Sequence, residues 1–167
     1  KGLYFINADG SNPKKPKQIW TQGETEASSC WFPTIDAPNE KTTQEIFMTV
    51  ADNYKTLSNG ALIYSKKNDD GTRTDYWKMD QPHAPYLFMM AVGEFAIVED
   101  SWTKKDGTVM PVNYYVEPKF EPHAKAIFGK TPKMLTYFSD LLGVEYPWPK
   151  YHQVVVRDYV SGAMENT

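Results

Sequence analysis

The sequence has 167 residues, 41% of them hydrophobic and 14% aromatic, which can bury the core of one ordinary domain or parts of two. Its net charge of -3, with the signs interspersed, leaves no basic stripe for nucleic acid and no cationic face for a membrane surface. No run approaches the roughly 18 apolar residues of a membrane span, and a single cysteine, Cys30, excludes an internal disulfide and a cysteine-built zinc site.

In chain order, Leu3 to Ala8 reads as a short strand closed by Asp9-Gly10, and Ser11 to Lys17, with its prolines and lysines, as an exposed loop. Ile19 to Thr21 is a strand end that delivers an acidic loop containing Gln22, Glu24 and Glu26. Within that loop, Trp31 and Phe32 read as its hydrophobic anchor, Asp36 with Pro38 as a turn that fixes it, and Cys30 as a small buried residue. Ile46 to Ala51 is a strand. Asn59-Gly60 then separates Tyr54 to Ser58 from Ala61 to Lys66, the signal of a type I′ hairpin. Asp70-Gly71 leads into Thr74 to Met79. Leu87 to Trp102 is long and apolar, with Gly93 marking a bulge or a close backbone approach. Asp106-Gly107 turns it into Val109 to Val116. Asn-Gly and Asp-Gly turns between aromatic and branched runs predict antiparallel sheet.

The composition shifts at Glu117-Pro118, where a boundary is placed between residues 1–117 and 118–167. Glu121 to Phe128 predicts a turn or two of helix. Thr131-Pro132 predicts an N-cap and a first-turn proline. Met134, Leu135, Phe138, Leu141 and Leu142 then form a helical face, and Gly143 a C-terminal stop. Tyr146 and Trp148 are expected to pack that helix against a buried strand over Gln153 to Val156. His83 and His123 read as surface residues. No internal repeat or low-complexity segment occurs.

The chain closes on Gly162, Ala163, Met164, Glu165 and Asn166. As plain chemistry, a glycine that lets backbone approach a ligand, followed by an anionic Glu and an Asn, can bind an amine. This string, with Thr21-Gln22-Gly23-Glu24, Phe32-Pro33, Asp36, Pro38, Lys41, Leu57-Ser58-Asn59, Tyr86-Leu87-Phe88, Gly93, Phe95 and Tyr146-Pro147, resembles the aminopeptidase N family of zinc metallopeptidases, the gluzincins, over residues 21–167.

The resemblance implies a mainly β fold with a small α+β part. Residues 1–117 would be the later portion of a saddle-like antiparallel β-sandwich domain, and 118–167 the start of a thermolysin-like catalytic domain. It implies that Glu24 and Glu165 bind the free amino group of a peptide substrate and that Gln22 lines the pocket for the first side chain. Gly162, Ala163 and Met164 would run beside the peptide as an added strand does, with Met164 near that side chain, and Asn166 would complete the substrate-binding set. An ammonium about 4 Å from one carboxylate gains roughly 4 kcal/mol before desolvation at an effective dielectric near 20. Two carboxylates would thus separate free from blocked N-termini.

Zinc is expected in a longer parent, on an H-E-x-x-H helix, and none in this chain, whose His83, His123 and His152 have no partner at helical spacing. The chain is therefore expected to be an inactive fragment that ends just after the motif. No signal peptide is seen, any leader of a longer protein would precede Lys1, and the compartment stays open. The sequence departs from the family at Ser28, where many members carry Arg, and at Thr34, where many carry Cys, which removes an expected ion pair from the loop. Rival readings are an epoxide hydrolase of the leukotriene hydrolase type, a non-catalytic scaffold with the same fold, and a plain β-sandwich binding module.

Overall fold

A computed structural model describes residues 1–167. The chain divides by contact into two units, residues 1–94 with 156–167, and residues 95–155.

In the first unit, β1 (Gly2–Ile6) and β2 (Gln18–Gln22) pair antiparallel around the Asp9-Gly10 turn. Strands β3 (Thr42–Ala51), β4 (Lys55–Ser58), β5 (Ala61–Lys67), β6 (Thr72–His83) and β7 (Met90–Gly93) follow. They form two sheets of order β1-β2-β7-β4 and β3-β6-β5. The inward positions of β6, namely Arg73, Asp75, Trp77 and Met79, are all buried, as strand alternation requires. The sheets are stitched face to face by polar bonds: Thr56 Oγ1 donates to Asp75 Oδ2 at 2.6 Å, Trp77 Nε1 to Thr56 Oγ1 at 3.0 Å, and Gln44 Nε2 to Ser58 Oγ at 3.0 Å.

The structure corrects the Asn59-Gly60 hairpin. Strand β4 pairs with β7 and β5 with β6, so this dipeptide carries the chain from one sheet to the other. Only Gly60 has a positive φ, +75°, whereas a type I′ turn needs two. A Cβ on Gly60 would lie 1.9 Å from the Lys78 carbonyl oxygen, so the glycine answers to close packing between strands. Asp9-Gly10, Asp70-Gly71 and Asp106-Gly107 do join paired strands. Strands β3 and β6 run longer than their sequence patterns suggest, because a paired neighbour sustains Thr42 and His83 where the alternation has faded.

The second unit holds β8 (Ala96–Val98), β9 (Ser101–Thr103), β10 (Val109–Pro111), β11 (Tyr114–Val116), α1 (Glu121–Phe128), α2 (Thr131–Leu142) and β12 (Gln153–Val154). The long apolar run after Leu87 is thus three short strands that belong to different sheets. Gly93 ends β7 in regular register, without a bulge. Trp102, Met110, Val112, Tyr114, Val116, Ala124 and Leu135 make one core, with Tyr146 and Tyr151 against it. Helix α2 stops at Gly143 in the left-handed conformation, φ +69°. Thr131 is not its cap but its first residue; the hydroxyl donates to the Phe128 carbonyl at 2.7 Å and meets Gln153 Oε1 at 2.9 Å. The buried face is also not the one that the apolar spacing picks out. Thr131, Leu135 and Ser139 are covered, while Met134, Phe138, Leu141 and Leu142 are exposed.

The architecture is mainly β with a small α+β part. No helix is long and apolar enough to cross a membrane.

Candidate functional site

Residues 1–94 and 156–167 share one unit, so the acidic loop after β2 and the Gly162–Asn166 segment belong to the same body. Strand β2 sends Gln18, Trp20 and Gln22 from one face, two residues apart, and all three are buried. Gln22 sits at the strand end, where its Oε1 accepts the Glu24 backbone N–H at 3.4 Å.

Between them, Gly23 is enclosed: a Cβ there would lie 2.4 Å from the Tyr86 carbonyl oxygen and 2.6 Å from Ser28 Oγ. The peptide between Glu24 and Thr25 is cis. The loop is then folded back by Ala27 N–H on the Gly23 carbonyl at 2.8 Å, and by Ser28, fully buried, whose Oγ donates to the Pro85 carbonyl at 2.8 Å. Ser28 therefore supplies a neutral tether at the position where the resemblance leads one to look for an arginine. Asp36 Oδ2 accepts the Ser29 N–H at 2.9 Å, and Phe32 stacks on Phe88 at 5.0 Å, so both residues fix the loop as expected.

Two expectations fail. Cys30 is exposed, because its short turn faces outward. His83 is 2% exposed; it stacks on Phe88 at 4.3 Å and meets the Gln81 carbonyl at 3.0 Å, and burial lowers its pKa. Its neighbours Gln81 and Pro82 suggested a surface turn, but they lie on an extended strand. His123 is exposed.

At the other end of the site, Glu165, Gly162 and Ala163 are exposed, and Met164 and Asn166 half-buried. The segment has no regular secondary structure, and a Cβ on Gly162 would meet nothing within 4 Å. Packing within the chain thus gives no reason for glycine at 162.

Tyr159 joins the two ends. Its ring packs against Trp20 at 5.0 Å, and Trp20 in turn stacks on its cross-strand partner Tyr4 at 4.2 Å. Burial raises the Tyr159 phenol above its ordinary range, followed by the charges of Glu165 and Glu24. Sequence reasoning missed Tyr159, and also Gln18, Trp20 and Asn59. The polar residues at alternate, inward positions of β2 were the available signal for the first pair; Tyr159 had none.

No three His, Cys, Asp or Glu side chains converge on a metal-sized site.

The family model for the Peptidase M1 N-terminal domain matches residues 1–87, more than half of the chain, and that for the Peptidase family M1 domain matches residues 127–167. The chain belongs to peptidase family M1. Bovine (Bos taurus) glutamyl aminopeptidase is 34% identical over 136 residues, which cover 81% of this chain and 14% of that protein. Aminopeptidase 2, mitochondrial, of Saccharomyces cerevisiae is 30% identical over 146 residues, covering 87% and 15%. The crystal structure of Legionella pneumophila aminopeptidase A in complex with aspartic acid superposes with a TM-score of 0.85 at 25% identity, over 99% of this chain and 19% of that one. This M1 chain therefore spans about a seventh of the length of its curated relatives.

Proposed function

We propose that this chain is the amine-recognising part of a zinc-dependent M1 aminopeptidase that removes N-terminal residues from peptides. The observation that carries the reading is membership in family M1 together with the placement of the Glu24 loop and the Glu165 segment in one unit. An α-ammonium placed between two carboxylates is favoured over an acetylated amine, which has no charge to offer them. Both carboxylates are exposed, so each alone is screened by water, and the pair discriminates well only once a substrate covers it.

On this reading Gln22 bounds the pocket for the first side chain. Met164, half-buried, lies where a flexible thioether adapts to varied shapes. Residues 162–166 form no hydrogen bond within the chain, so their backbone N–H and C=O groups are open to a peptide laid alongside as a strand. The open space at Gly162 favours the same approach. The matched segments 1–87 and 127–167 support a β domain over residues 1–117 followed by the opening of a catalytic domain, with the zinc ligands in the part of the longer enzyme that this chain does not span. The 167-residue chain alone is expected to be inactive.

The test is release of chromophore from aminoacyl anilides by the full-length enzyme, with free or acetylated amines, with and without a zinc chelator. The names of the relatives put acidic first residues at the head of the substrate panel. Cleavage confined to the free amine, lost on chelation and weakened by Glu24→Ala and Glu165→Ala is expected. Equal cleavage of free and acetylated substrates overturns the recognition role.

A further inference from the structure

We propose that Gln18, Trp20 and Asn59 are positioning residues that grip the Glu165 segment at its two ends and so fix where the substrate's ammonium is met. The inference rests on the amine-recognition reading above. At the upstream end, Gln18 Oε1 accepts the Arg157 backbone N–H at 2.9 Å, and Trp20 Nε1 donates to the Arg157 carbonyl at 3.0 Å. The backbone donor and acceptor of one residue are thus both taken by side chains two apart on β2, the pattern that a neighbouring strand would otherwise supply. Gln18 and Trp20 are 3% and 2% exposed, so water does not compete for these bonds. An ion pair from Lys15 to Asp158 and the packing of Tyr159 on Trp20 extend the grip by two residues.

At the downstream end, Asn59 is 1% exposed and uses both halves of its amide. Its Nδ2 donates to the Thr167 carbonyl, to Thr167 Oγ1 at 3.1 Å and to the Leu87 carbonyl at 2.8 Å, while its Oδ1 accepts the Met89 N–H at 2.7 Å. One side chain therefore ties the end of the motif to the segment before β7. Between the anchors, residues 160–166 form no hydrogen bond or ion pair with the rest of the protein. The placement of Glu165 is accordingly set from the two ends. Releasing either one spreads its carboxylate over more positions and weakens a contact whose value depends on preorganisation. None of the three side chains needs to touch substrate for this.

The test uses the full-length enzyme and a free-amine aminoacyl anilide. The Gln18→Met, Trp20→Phe double variant deletes these two side-chain bonds to the Arg157 backbone while keeping volume and an aromatic ring, and Asn59→Ser weakens the hold on the other end. Each should raise KM by about threefold to tenfold, the effect of losing ordinary hydrogen bonds, with kcat within about threefold. Unfolding midpoints confirm that the variants are folded at assay temperature, and Trp20→Phe alone carries the test if the double variant is not. Combined with Glu165→Ala, the same changes should add nothing further to KM, because they act through that carboxylate. An unchanged KM in the clamp variants, or an effect that persists undiminished in the Glu165→Ala background, overturns the inference and leaves the recognition reading standing. A Glu165→Ala enzyme with wild-type KM overturns both.

Discussion

The Arg73 guanidinium meets the Asp75 carboxylate through two parallel hydrogen bonds, Nε to Oδ1 at 2.8 Å and Nη2 to Oδ2 at 2.9 Å. Both residues point inward from the central strand β6, and both are buried. Burial by itself would raise the Asp75 carboxyl, but the bonds from Arg73, Ser65 and Thr56 outweigh it and hold the carboxyl below its ordinary range. Removing Arg73 strands the Asp75 charge, whereas removing Asp75 leaves Arg73 with the Asp52 carboxylate at 3.2 Å. Arg73→Met should therefore destabilise the chain by about 3–5 kcal/mol, read as a lower urea midpoint at unchanged slope, and Asp75→Asn by less. Arg73→Lys should recover only part of this, since a lysine cannot make the fork.

The pH dependence has a second source in the other unit. Burial, and then the charge of Lys150, push His152 down from 6.5 to about 4, while its Nδ1 accepts the Asn113 N–H at 3.0 Å. The folded pKa lies below the unfolded one, so unfolded chains take up this proton first as pH falls. The stabilisation is complete above 6.5 and is lost as pH drops toward about 4. Thermal midpoints measured across that window should decline, and His152→Gln should flatten the decline even if it lowers the midpoint at neutral pH.

Gly23 and Gly162 should respond oppositely to alanine. At position 23 the new methyl meets backbone and Ser28 Oγ well inside contact distance, so the loop must shift, at about 1–3 kcal/mol. At position 162 it meets nothing, so the unfolding midpoint should stay within about 0.5 kcal/mol of wild type. The cost of Gly162→Ala should appear instead as a raised KM in the full-length enzyme, where a peptide is to pass close by.

Helix α2 predicts how the chain behaves in solution. Met134, Phe138, Leu141 and Leu142, exposed by 52%, 53%, 64% and 69%, form an apolar stripe of the kind that associates. The 167-residue chain should self-associate as concentration rises in sedimentation velocity. Phe138→Lys with Leu141→Glu should reduce that association and move the unfolding midpoint by less than about 1 kcal/mol.

The mainly β architecture, three of the four glycine turns and the C-terminal stop of α2 were legible because each depends on local chemistry: alternation, a left-handed turn residue, a helical stop. The Asn59-Gly60 turn misled for a physical reason. Its asparagine serves contacts with Leu87, Met89 and Thr167 that no local pattern encodes. The same limit applies to the site. The motif residues Glu24 and Glu165 could be named from the family resemblance, but Tyr159, which packs on Trp20, and Gln18 with Trp20, which grip Arg157, are defined only by contacts across the whole length of the chain. On α2 the apolar spacing located the helix correctly and its covered side wrongly, because spacing reports which side is apolar and not what lies opposite it.

The grip on Arg157 spans 139 residues from Gln18 and 137 from Trp20. Closing so long a loop costs more chain entropy than a local pairing does, so these contacts are expected to form late in folding. On that expectation a partly refolded chain holds both sheets of the first unit before the Glu165 segment is seated. Recognition would thereby be tied to completion: in a variant that keeps Trp20 as its only tryptophan, fluorescence during refolding should report the seating of the Glu165 segment, and ligand-binding competence should rise with that phase.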